Sequence, residues 1–316
     1  MTTRRGFTLV ELLLSLILLT AVGAVTYKLL VNTQRVSRYQ SQHIGMQDNG
    51  RSGSLIIANE LREVGYDQIT ATELAALQLR YAGFTPAAAV NSDLIAIGPD
   101  SITYRAMRGL GYTCQLNTAN GDVTVYNAAA DARKWQSLRT LTTTDSVMLF
   151  VENDPTTATD DMWVPAGVTV APVAQNCPDG SAGLRFRVAL PAGYVPAIAT
   201  LFNAANMPLG GPVRAFEIMQ MRAYVSGGKT WLGMRARPSA GTTLEPVLGP
   251  LNTATGLALD YRDANNVATA VANNVRSIAV TLQTVSDERV RQTGSYSKVD
   301  SLTMSTRVAL RNALRP

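Results

Sequence analysis

Histidine is almost missing from this chain: among 316 residues His43 is the only one. That scarcity argues against a Ser-His-Asp or Cys-His site, since His43 falls on a stretch read below as a long helix. Cysteine is nearly as rare. Cys114 and Cys177 are the two, and neither belongs to a close pair of the zinc-site type. Charge is thin as well. Charged residues make up 16% and hydrophobic ones 46%, which argues for a folded body over a disordered one. Lys and Arg number 28 against 23 Asp and Glu, a net +5. The excess is spread along the chain, without the dense basic tracts of a dedicated nucleic-acid binder. Proline does not occur before Pro86, so nothing of that kind breaks a helix in the first quarter of the chain.

What fills that quarter is an apolar run from Phe7 to Tyr27, ended by Lys28. About 21 helical residues at 1.5 Å each span roughly 31 Å, the thickness of a bilayer's hydrocarbon core. Before Tyr27 its only ionisable side chain is Glu11. An unpaired carboxylate about one turn inside such a span costs on the order of a few kcal/mol, so Glu11 needs a partner. A cut between Gly6 and Phe7 creates one, an α-amino group four residues before Glu11. That amine can meet the carboxylate on its own helix or on a neighbouring subunit.

Arg4-Arg5, Gly6, Phe7 and Glu11 together resemble the type IV prepilin signal. The resemblance implies cleavage by a prepilin peptidase after Gly6, N-methylation of Phe7, and a subunit-assembly role for Glu11. A conventional secretory signal cut near Val22-Gly23-Ala24, or a plain anchor, is the bland alternative. The length of the run and the acid at its start count against both. Lys28, Arg35 and Arg38 follow the run, against Arg4 and Arg5 before it, so the positive-inside count does not settle orientation.

The helix is expected to run past the membrane. Val36, Tyr39, His43, Met46, Gly50, Gly53, Ile57, Leu61 and Val64 recur at gaps of three and four and draw one helix face. From Thr8 to Glu63 the helix would measure roughly 84 Å. Gly45, Gly50 and Gly53 read as weak points in its middle, each costing up to about 1 kcal/mol against Ala. Gly23 is the point where the resemblance implies partial melting inside a filament. The ending Leu61-Arg62-Glu63-Val64-Gly65-Tyr66 resembles the end of the first helix in minor pilins of the PilW class.

Beyond Tyr66 the period changes. Thr70-Ala71-Thr72-Glu73 has capping-box spacing for a short helix to about Tyr81. Period-two segments then follow at 93–97, 101–107, 122–126, 146–151, 184–190, 215–225, 231–237, 278–285 and 306–310, a mainly antiparallel sheet. Gly228-Lys229-Thr230 mimics the end of a phosphate-binding loop. The strand-like Trp231-Leu232-Gly233-Met234-Arg235 that follows makes it a hairpin turn instead. The acidic loop with Glu152, Asp154, Asp160 and Asp161 carries oxygen ligands of the kind calcium takes, without EF-hand spacing; a solvated loop is the default. The segments 257–263, 278–282 and 307–312 resemble the tail of PilW-like pilins and of type II secretion pseudopilin J. If the body is exported, as the resemblance implies, a disulfide between Cys114 and Cys177 is the default, contributing roughly 4 kcal/mol in the chain-entropy account; two separate buried thiols are the alternative.

The expected organisation is a leader at 1–6, a transmembrane segment at 7–27, the rest of the helix at 28–65 and a β-rich body at 66–316, a pilin-like α+β chain. The resemblance implies a minor subunit of a type IV pilus, and the lack of a catalytic constellation or a close metal-ligand pattern leads to the expectation of no enzymatic activity, cofactor or metal. Its partners would be the prepilin peptidase, other major and minor pilins, the inner membrane and a tip adhesin. A type II secretion pseudopilin and a DNA-binding competence pilin are the alternatives, and an exported anchored enzyme is the least favoured because no catalytic constellation appears. The dispersed basic residues weigh against nucleic acid.

Overall fold

The computed structural model describes residues 8–62, 64, 75, 78, 93–117, 119–152, 156, 162–190, 210–236, 243–287, 290–292 and 295–310. One helix, α1 (Leu9–Arg62), runs unbroken for 54 residues. Its large apolar side chains from Leu9 to Leu30 are all exposed, while Met46, Gly50, Gly53, Ile57, Ala58 and Leu61 are buried. The lower part of the expected stripe is therefore the face that packs, and Val64 continues it at full burial.

Among the described residues fifteen strands follow: β1 (Leu94–Ile97), β2 (Ser101–Asn117), β3 (Asp122–Tyr126), β4 (Gln136–Ser137), β5 (Ser146–Val151), β6 (Met162–Ala174), β7 (Gly183–Ala189), β8 (Pro212–Ser226), β9 (Lys229–Ala236), β10 (Glu245–Leu251), β11 (Leu257–Arg262), β12 (Ser277–Val285), β13 (Val290–Gln292), β14 (Ser295–Lys298) and β15 (Ser301–Ala309). Every pairing among the named strands is antiparallel. The chain is thus one long N-terminal apolar helix followed by a mainly antiparallel sheet body, the α+β class its periodicities indicate.

The described residues of the body fall around two hydrophobic cores. In the first, α1 lies against β10, β12 and β15. Ile57, Leu61 and Val64 share that core with Tyr104, Met221, Leu232, Ile278, Val280, Leu282 and Val308. In the second, β2, β3, β7, β6, β5 and β8 pair in that order and β8 returns to β2, closing a ring. Alternate residues of its strands fill the interior: Val123 and Val125, Val147, Leu149 and Val151, Val164, Ala166 and Val168, Phe186 and Val188. The strands β2 and β8 belong to both cores. Ser101–Tyr112 of β2 pairs with β8, and Thr113–Asn117 pairs with β3.

Several expectations need correction. The segment at 101–107 is the start of a 17-residue strand, and 306–310 is the end of one that begins at Ser301. Glycines at 109 and 111 break the alternation in the former; Ser and Thr blur it in the latter. The helix is not loosened at Gly50 and Gly53. A Cβ at Gly50 would meet the Met304 side chain, and one at Gly53 would drive into Leu248. Both glycines let the sheet approach the helix backbone. The turn at Ser226–Lys229 is a hairpin, with Gly227 and Gly228 both at positive φ. Of the helix expected near 70–81, Ala75 and Gln78 are described and both are helical.

Candidate membrane and assembly segment

The first turn of α1 is closed by its own side chains. The Thr8 backbone N–H and hydroxyl donate to Glu11 Oε2 at 3.1 and 3.2 Å, and the Glu11 N–H donates to Thr8 Oγ1 at 3.3 Å. This reciprocal capping box satisfies donors that a helix start otherwise leaves open. Its signal, a Thr followed three residues later by Glu ahead of an apolar run, stands in the sequence. Within the apolar tract the hydroxyls of Ser15, Thr20 and Thr26 donate to the carbonyls of Leu12, Ile17 and Val22. Those hydroxyls are therefore satisfied inside the helix, as a hydrocarbon environment demands. Gly6 and Phe7, the expected cleavage and methylation residues, lie outside the described residues.

At its other end the helix is tied to the body by polar contacts. Asn49 Nδ2 donates to the Gly249 carbonyl at 3.2 Å, and Thr284 Oγ1 donates to the Met46 carbonyl at 3.3 Å. His43 Nδ1 stands 3.6 Å from Asp300 Oδ2. Glu60 accepts from the Tyr104 hydroxyl at 3.1 Å and from Arg108 Nη2 at 2.8 Å. Burial first, and the Glu60 carboxylate second, push the Tyr104 hydroxyl well above the usual tyrosine range. Arg108 also faces Glu217 at 3.8 Å, and Glu217 accepts from Arg139 Nη2 at 2.7 Å. Arg139 in turn clamps both oxygens of Asp145, at 2.6 and 2.7 Å. The chain of ions thus runs from α1 through both long strands into the ring. Burial alone would raise the Asp145 carboxyl. The Arg139 pair and the Thr142 N–H and hydroxyl outweigh it and bring the value to about 2.

The cysteines are paired. Cys114 on β2 and Cys177, after β6, are both buried and joined by a disulfide with their Cα atoms 5.7 Å apart. This bond is built into the ring and takes no part in the helix start. Glu152 is half-buried at the end of β5, and Asp154, Asp160 and Asp161 lie outside the described residues. Among the described residues, no group of three His, Cys, Asp or Glu side chains is placed to hold a metal ion.

The chemistry of this segment is therefore that of a bare apolar helix, closed at its start by an acid and fixed at its end to a folded body. Residues 1–27 match the family model of the prokaryotic N-terminal methylation motif. This motif is the signal of type IV pilins and pseudopilins. It covers the leader, the expected cleavage point, Glu11 and the apolar tract. No curated protein and no solved structure matches the chain.

Proposed function

We propose that this chain is a minor pilin of the PilW class, a non-enzymatic subunit of a type IV pilus. The observation that carries the reading is the division of α1. Its tract from Leu9 to Tyr27 is exposed, almost wholly apolar surface under a methylation motif, and its last turns are locked into the body. The tract from Phe7 to Tyr27 stores the subunit in the inner membrane with the body in the periplasm. Prepilin peptidase cuts after Gly6, and the new Phe7 amine pairs with Glu11 of a neighbour. Extraction then exchanges lipid for other helices around the same apolar surface. The body stays outside, where it meets other pilins or a tip adhesin. A type II secretion pseudopilin is the second reading, because the motif serves both kinds of filament.

Glu11→Val separates a filament subunit from a plain anchor. Removing the carboxylate improves membrane insertion by about 2 kcal/mol, offset in part by loss of the acceptor for the Thr8 N–H and hydroxyl. Cleavage at Gly6 continues, so N-terminal sequencing of both proteins begins at Phe7. Immunoblots should show Glu11→Val retained in membranes and depleted from sheared filaments. Equal incorporation of the two proteins would overturn the assembly role.

A further inference from the structure

The residues just beyond the apolar tract are cationic and have no acid near them in sequence. Between Glu11 and Asp48 the only charged side chains are Lys28, Arg35 and Arg38, all exposed. At about 100° per residue, Arg35 lies about 20° and Arg38 about 80° around the helix from Lys28, so the three share one side. Apolar surface continues past Lys28 through the exposed Leu29 and Leu30. Counted from Phe7, a hydrocarbon core of roughly 31 Å ends near Lys28, whose long stem covers the adjoining apolar surface. The Cα atoms of Arg35 and Arg38 then stand roughly 10 and 15 Å beyond that boundary. Helical side chains tilt toward the N-terminus, so both guanidinium groups reach back toward the membrane.

We propose that Lys28, Arg35 and Arg38 form a collar that binds the headgroups of anionic phospholipids in the leaflet from which α1 emerges. The inference rests on the membrane-stored subunit described above. The direction of the collar favours lipid over a neighbouring subunit. Eighteen residues make five turns, which puts Lys28 directly below Met46 and Arg35 directly below Gly53. Met46 and Gly53 are buried against the body. Lys28 and Arg35 therefore lie on the side overhung by the chain's own body, with Arg38 at its edge below the exposed Ile56, while the exposed Ile44 and Leu55 belong to other sides of the helix. After cleavage removes Arg4 and Arg5, the collar is the strongest charged anchor left on the span. It holds the subunit at a fixed depth until extraction.

The test uses the full-length mature protein in neutral detergent, titrated with phosphatidylglycerol or phosphatidylcholine and read by native mass spectrometry of the lipid adducts. Each cation near an anionic surface is worth about a fivefold preference. The wild type should therefore bind phosphatidylglycerol at least about fivefold more tightly than phosphatidylcholine at low ionic strength. That ratio should shrink toward one at about 0.5 M salt. Lys28→Gln/Arg35→Gln/Arg38→Gln should show a ratio near one throughout, with its disulfide and circular dichroism unchanged. Glu11→Val should keep the wild-type ratio whether or not it enters filaments, which separates this proposal from the filament reading. A wild-type ratio near one, or a triple variant that keeps the preference, overturns the collar. If wild type shows no preference and the triple variant drops out of sheared filaments, the three cations serve a subunit interface and the lipid proposal falls.

Discussion

Gly45 and Gly53 lie on the same helix and differ only in what surrounds them. Nothing stands within 4 Å of a Cβ built on Gly45, whereas a Cβ on Gly53 collides with the buried Leu248 side chain. Gly45→Ala should therefore stabilise the protein by up to about 1 kcal/mol, the helix-propensity difference. Gly53→Val should destabilise it by roughly 1–3 kcal/mol, because Leu248 has to move within a packed core. Thermal unfolding of the full-length variants in detergent, followed by circular dichroism, checks both signs. Equal shifts would mean that the approach of β10 to the helix is not set by Gly53. In the sequence the two glycines looked alike, since a helix-breaking tendency is local and a close approach is not.

At the scale of elements, β2 and β8 carry the architecture. Each is long enough to pair in the helix-backed sheet at one end and in the closed ring at the other. Cys114 sits on the ring half of β2, and its bond to Cys177 closes 63 residues of chain that include β3, β4, β5 and β6. Cys114→Ser/Cys177→Ser should lower stability by roughly 4 kcal/mol if the chain-entropy account holds. The loss should appear mainly in the ring. Urea unfolding of oxidised, reduced and double-variant protein measures it, with reduced wild type matching the variant. An unchanged midpoint would show that the ring is held by its apolar interior alone. The alternation of β3, β5 and β7 was legible because each buries one face in the ring. The 13-residue β6 is hidden from its period because its start adjoins an acidic, proline-containing stretch of sequence and Pro165 and Pro172 interrupt its pattern.

For the whole molecule, the ion chain from Glu60 to Asp145 joins the helix, the sheet and the ring, and it makes stability depend on pH. Asp145 has a folded pKa of about 2, below its ordinary value of 3.8. A depressed carboxylate stabilises the folded state above its ordinary value, and the contribution is lost as pH falls from about 4 through about 2. The magnitude is roughly 2 kcal/mol. Asp145→Asn should be less stable than wild type by about that amount at pH 7, with the two converging near pH 2. Urea midpoints across that range test the prediction, and a constant difference at every pH would remove the charge from the explanation.

The apolar tract, the acid inside it, the buried stripe through Met46, Ile57 and Leu61, and the α+β class were all determined by sequence alone. Each rests on a period or a spacing of a few residues, which side-chain chemistry writes directly into the chain. The capping box of Thr8 and Glu11 belongs with them. Tertiary structure alone decided that β8 returns to β2 and closes a ring, that Gly53 admits Leu248, and that Glu60 meets Arg108 while Glu217 meets Arg139. Those contacts join residues far apart in sequence, and their energy exists only once the intervening strands have taken their register. No local pattern encodes that register, because the alternation in each strand specifies which face is buried and leaves its partner open.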